Sequence, residues 1–186
     1  MFFNLPTLLT WARIVAIPLV VGVYYTSLPV ETQNIAGTAL FILFALTDWA
    51  DGFLARKLDM TSSFGAFLDP VADKFLVTAA LLVLVHLGRL HALIALVIIG
   101  REIAISALRE WMAKVGQAKS VAVAFIGKLK TVSQMIAIPL LLYEDQLLLV
   151  DCQWLGTVLI NVAAILTVAS MLYYLRQALP HAKVGS

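Results

Sequence analysis

Six long apolar runs alternate with short polar stretches along the chain, at residues 8–25, 35–57, 70–87, 92–111, 121–143 and 154–175. Each approaches the roughly 20 residues that a helix needs to cross a bilayer. The runs are not uniform inside. The first is interrupted by Arg13 and Pro18, and the second is apolar to Leu46 and then acidic. The third opens with charges, the fourth is apolar to Ile99 and then charged, and the fifth holds Lys128 and Lys130. The sixth is the cleanest. The pattern predicts an all-α, polytopic membrane protein with six transmembrane helices. No linker or repeat divides residues 1–186, which are expected to form a single domain.

An even number of spans puts both termini on one side. Twelve of the 13 Lys and Arg residues fall toward that side, and Arg89 alone falls opposite. Cytoplasmic segments carry the excess of Lys and Arg, so both termini are expected in the cytoplasm. Tyr24, Tyr25, Trp111, Tyr143, Trp154, Tyr173 and Tyr174 stand near span ends and are read as interfacial aromatics. His86, His91, Glu31, Glu144, Asp145 and Asp151 read as surface polarity outside the site.

Composition strengthens this picture. The 186 residues are 62% hydrophobic and 13% charged, against about half and about a quarter in soluble domains. A net charge of +2, with no basic run, gives no footprint for nucleic acid. The single cysteine, Cys152, excludes an intramolecular disulfide. The first run follows no Lys or Arg and has no small-residue cleavage site after it, so it is read as a retained helix.

Polar residues concentrate within the cytoplasmic ends of spans two to five. Charge inside a bilayer is costly and marks function by default. Span two carries Asp48, Asp51, Gly52, Ala55 and Arg56, one helical stripe at i, i+3, i+4, i+7 and i+8. Asp48 lies about 20 Å along that helix from its outer end, near headgroup depth. Span three opens with Asp69-Pro70 and Asp73. Asp69 is expected to cap the helix, with Pro70 in the first turn and Gly65 one turn before.

Four carboxylates on two neighbouring helices repel unless protons or cations neutralise them. Oxygen donors without His or Cys suit Mg²⁺ or Mn²⁺, and a pair of such ions can clamp a phosphoryl group. Arg56 is placed to take a phosphate oxygen, and Gly52 and Gly65 would let a bulky ligand approach the backbone. Arg101, Arg109, Lys128 and Lys130 are candidates for a second anion, with Glu102 and Glu110 orienting the arginines. Arg13 is a looser candidate for the nucleotide pocket. A divalent-cation transporter is the alternative class, but the outer halves of the spans offer no polar path.

Written out, the acidic constellation is Asp48-x2-Asp51-Gly52-x2-Ala55-Arg56-x8-Gly65-x3-Asp69-x3-Asp73. It resembles the signature of the CDP-alcohol phosphotransferase family at every position. The segments Asn4–Arg13, Arg101–Trp111 and Ser120–Lys130 are similar to members that use a phosphorylated glycerol acceptor. The resemblance implies a six-helix fold, a homodimer, and a polar cavity open to the cytoplasmic side of the bacterial inner membrane. It implies CDP-diacylglycerol as donor and sn-glycerol 3-phosphate as acceptor; phosphatidylglycerol, inositol phosphate or serine are the alternatives. By the same resemblance Asp48, Asp51, Asp69 and Asp73 hold two Mg²⁺ or Mn²⁺ ions, and Asp73 is also the general base. Gly52, Arg56 and Gly65 contact CDP.

Overall fold

A computed structural model describes residues 5–58, 63–114 and 125–182. Six helices cover the predicted runs: α1 (Leu5–Val23), α2 (Val30–Leu58), α3 (Ser63–His86), α4 (Ala92–Lys114), α5 (Phe125–Tyr143) and α6 (Cys152–Ala182). Between α5 and α6 lies a small hairpin that the apolar pattern did not predict. Its strands, β1 (Gln146–Leu147) and β2 (Val150–Asp151), pair antiparallel with Gln146 opposite Asp151. Leu148 enters the loop with a φ of 59°.

Two helices, α2 over Val30–Thr47 and α6 over Cys152–Arg176, are long and apolar enough to cross a membrane. Large apolar side chains also stand on the surface of α1, α2, α3, α4 and α6, among them Leu19, Leu43, Leu82, Leu96 and Ile165. Water-soluble monomers rarely expose so much contiguous apolar area.

The helices belong to two compact units. In one, α1, α2 and α3 join the last turn of α5 from Pro139 and the hairpin; the other holds α4, the rest of α5 and α6 from Trp154. In the first unit α1 packs on both α2 and α3, and α2 meets α3. Close packing is visible at Gly37 of α2, where any Cβ would run into the phenol ring of Tyr24. Tyr24 is thus buried packing, not an interfacial aromatic. Its neighbour Tyr25 is exposed and stacks on His86, ring centroids 5.2 Å apart.

One end of this unit is tied by Arg89, the residue that breaks the charge asymmetry. Helix α3 ends on Gly88 at φ 73°, a conformation glycine adopts without steric cost. The Gly88 and Arg89 amides donate to the Val85 and Leu84 carbonyls, closing a Schellman cap. The Arg89 side chain is 5% exposed. Its guanidinium donates to the Leu142 carbonyl at 2.8 Å, the Leu141 carbonyl at 3.3 Å and Asn34 Oδ1 at 2.9 Å. The two carbonyls belong to the last turn of α5, which has no helical donors left for them. Arg89 also forms an ion pair with Glu144, which takes a φ of 67° just past α5. Glu144 is therefore a structural partner rather than loop polarity.

The clamp thus joins the start of α2, the end of α3 and the end of α5. Asp48 lies 14 residues beyond Asn34 on α2, a rise of about 21 Å, so the acidic end of the unit is the end opposite the clamp.

Removing Arg89 leaves Glu144, Asn34 and two helix-end carbonyls without their donor. Arg89→Ala should lower stability by about 3 kcal/mol, read as a drop in thermal midpoint in detergent, and Arg89→Lys should recover only part. An unchanged midpoint in Arg89→Ala would contradict the clamp.

Candidate active site

The acidic stripe of α2 is helical throughout, because that helix runs on to Leu58 and so includes Asp48, Asp51, Gly52, Ala55 and Arg56. On α3 the sequence expectation needs correction. The helix starts at Ser63, so Asp69 is not its N-cap and Pro70 lies in its interior. Proline disfavours helix at the preceding residue, which is why the boundary was expected there. The helix continues through it, and the Ala66 carbonyl loses its i+4 donor because Pro70 has no N–H. Continuity places Gly65, Asp69 and Asp73 at i, i+4 and i+8, one face of one helix. Both pairs of aspartates therefore ride on helices of the same unit that touch each other.

Asp73 is half-buried. The side chains of Arg13, Asp48, Asp51, Gly52, Arg56, Gly65 and Asp69 lie outside the described residues; what is described is their place on α1, α2 and α3. The four acids of the signature on α2 and α3 are carboxylates, the chemistry that suits a hard divalent cation.

The basic candidates belong to the second unit, and the structure separates them by burial. Along α4 the buried positions are Ala95, Ile98, Arg101, Ile105 and Met112. Arg101 thus occupies a core position of a helix otherwise apolar on that face. On α5, Lys130 is 3% exposed while Lys128 is exposed. Two residues apart on a helix point to different sides, so one lysine enters the interior and the other does not.

Glu102 joins the buried cations. Lys130 Nζ donates to Glu102 Oε1, and Arg101 Nη1 donates to the same oxygen at 3.2 Å. Arg101 Nη2 donates to Ser170 Oγ of α6 at 3.2 Å, while its Nε has no hydrogen-bond partner among the described residues. Arg109 is exposed, and its guanidinium lies 5.7 Å from the centroid of the Tyr174 ring. The orienting role expected of Glu102 holds; Glu110 instead pairs with Lys114 at 2.8 Å on the exposed surface. Two buried cations, Arg101 and Lys130, thus meet at one carboxylate, Glu102, while Arg109 lies over the Tyr174 ring.

The contribution of α6 was missed from sequence. Thr167, Ser170 and Tyr174 are all fully buried on this helix, at i, i+3 and i+7. That spacing of polar and aromatic residues in an apolar run was the available signal. His91, read as loop polarity, caps α4: its Nδ1 accepts the Leu93 amide at 3.3 Å, and its carbonyl accepts from Ile94.

Comparison with known proteins covers nearly the whole chain. The family model for CDP-alcohol phosphatidyltransferase matches residues 3–173. A CDP-diacylglycerol–glycerol-3-phosphate 3-phosphatidyltransferase of Escherichia coli (strain K12) is 48% identical over 182 residues, 96% of each chain. The enzyme of the same name from Shigella flexneri serotype 5b is similar to the same extent, 48% over 96% of each chain.

Glu102→Ala would remove the carboxylate that both Arg101 and Lys130 contact, and should cost about 3 kcal/mol of stability. Adding Lys130→Met should restore part of the loss, because one of the two buried cations that Glu102 contacts goes with it. Thermal unfolding of the two single variants and the double variant checks this; purely additive effects would contradict a shared charge pair.

Proposed function

Because the chain belongs to the CDP-alcohol phosphatidyltransferase family, we propose that it transfers the phosphatidyl group of CDP-diacylglycerol to sn-glycerol 3-phosphate. The products are phosphatidylglycerophosphate and CMP. The observation that carries this reading is the 48% identity over 96% of the chain to relatives named for that activity. The eight-residue acidic signature stands without a departure inside that span.

The chemistry needs a free hydroxyl of the acceptor to attack the phosphorus that bears diacylglycerol. Asp73 takes the hydroxyl proton as the new O–P bond forms. The bond from that phosphorus to the bridging oxygen breaks, and CMP leaves with the electron pair. Asp48, Asp51, Asp69 and Asp73 would hold two ions, Mg²⁺ or Mn²⁺, which neutralise the diphosphate and the developing charge on CMP. Arg56, Gly52 and Gly65 hold the CDP moiety, with Arg13 nearby. No covalent enzyme intermediate is required.

The acceptor brings its own phosphate, with a charge of about −1.5 to −2 at neutral pH. A cluster of three cations, Arg101, Arg109 and Lys130, suits that group. A neutral or zwitterionic acceptor such as serine would leave it unmatched. Lys128, on the exposed side of α5, is the weakest of the four original candidates and fits better as a cytoplasmic surface charge.

The lipid donor requires a membrane. Six transmembrane helices, both termini in the cytoplasm and a site on the cytoplasmic face agree with the positions of the Lys and Arg residues. The apolar α2 and α6 and the exposed apolar side chains support the same arrangement. The working form is a homodimer in the bacterial inner membrane.

Purified protein given CDP-diacylglycerol, Mg²⁺ and sn-glycerol 3-phosphate should release CMP, and chelation of the metal should stop it. No release with any acceptor would overturn the assignment, and release with serine alone would move only the acceptor. Asp73→Asn should lower kcat by about 10²-fold or more while CDP-diacylglycerol still binds. Full turnover in that variant would remove Asp73 as the base.

A further inference from the structure

Tyr174 sits where an interfacial aromatic was expected, near the end of the sixth apolar run, yet it is fully buried. It packs against Ile105 and Met112 of α4, with Leu108 and Met171 beside it. Two guanidinium groups lie over its ring, Arg101 at 5.9 Å and Arg109 at 5.7 Å from the centroid. The two arginines differ sharply in environment, Arg101 being 7% exposed and Arg109 open to solvent. One ring therefore links an interior cation to a surface cation eight residues further along the same helix.

The choice of an aromatic partner has a chemical consequence. A carboxylate beside Arg109 would take its N–H donors and cancel its charge. A ring face attracts the cation through its quadrupole and leaves the donors in the guanidinium plane uncommitted. Arg109 has no ion pair among the described residues, so its charge and donors remain available. Arg101 is fixed from three directions, by Glu102 on one nitrogen, Ser170 on another and the ring against its plane. Its Nε is left over. Arg109 is thus oriented without being neutralised, which is what an anion site requires.

We propose that Tyr174 is a positioning residue for the acceptor phosphate, holding Arg109 with its donors free and Arg101 with its remaining Nε–H for one anion, and that Ser170 assists at Arg101. The proposal rests on the acceptor-phosphate reading of these arginines. Tyr174 does not touch the reacting atoms; it sets the affinity of the acceptor through the arginines.

Steady-state kinetics of Tyr174→Leu, Tyr174→Met and Tyr174→Phe, with Arg109→Gln alongside, test it. Loss of the ring in the Leu or Met variant should raise the KM for sn-glycerol 3-phosphate about tenfold. The KM for CDP-diacylglycerol should stay within about twofold and kcat should change little. Tyr174→Phe, which keeps the ring and loses only the hydroxyl, should raise the acceptor KM less than the Leu or Met variant. Met retains bulk, so it serves where Leu unfolds the protein; if neither folds, Ser170→Ala should still raise the acceptor KM alone. Equal rises in both KM values, a fall in kcat alone, or a Phe variant as impaired as Met would overturn the positioning role. If Arg109→Gln raises the acceptor KM and the Tyr174 variants do not, the ring falls and the anion site stands. If Arg109→Gln also leaves it unchanged, the acceptor-phosphate reading of Arg109 falls with the proposal.

Discussion

A charge removed from water costs several kcal/mol unless a partner of opposite sign lies within reach, and the described charges of this chain are arranged around that constraint. Arg89 is buried at one end of the first unit and meets Glu144, Asn34 and two carbonyls that α5 cannot satisfy itself. Lys130 and Arg101 are buried in the second unit and meet at one oxygen of Glu102. The clamp is balanced, one cation to one acid. The second cluster joins two buried cations to Glu102, with Arg109 over Tyr174 at its edge.

The aspartates of the acidic signature gather on other helices. Four aspartates on α2 and α3 lie in one unit, on helices whose opposite end is tied by Arg89. Clustered carboxylates suit divalent cations, and clustered cations suit a phosphate. Phosphoryl transfer from a lipid diphosphate to a phosphorylated alcohol needs both, each on its own helices. The family to which the chain belongs and the near full-length identity to glycerol-3-phosphate phosphatidyltransferases give that division of labour its chemistry.

Much of this was legible in the sequence because helices report themselves through apolar period and length. All six helices, the stripe Asp48 to Arg56 and the pair Asp69 and Asp73 were found that way. What escaped was set by tertiary contact. Pro70 suggested a helix start, but α3 runs through it, since flanking helix can override the local bias of one residue. Tyr24 and Tyr174 looked like span-end aromatics, and only packing against Gly37 in one case and two arginines in the other revealed them as buried. Arg89 looked like an exception to charge asymmetry until its partners, 52 to 55 residues away in sequence, came into view. The two-residue strands beside the hairpin loop are too short for any periodic signal.

The division of labour is tested most directly by comparing acceptors that differ only in the phosphate. CMP release from CDP-diacylglycerol would be measured with sn-glycerol 3-phosphate and with glycerol, in the wild type and in Lys130→Met. The variant should lose about 10- to 100-fold in kcat/KM for the phosphorylated acceptor and keep the wild-type rate with glycerol. An equal loss with both acceptors would contradict the account, because Lys130 would then serve the reaction or the fold and not the acceptor phosphate.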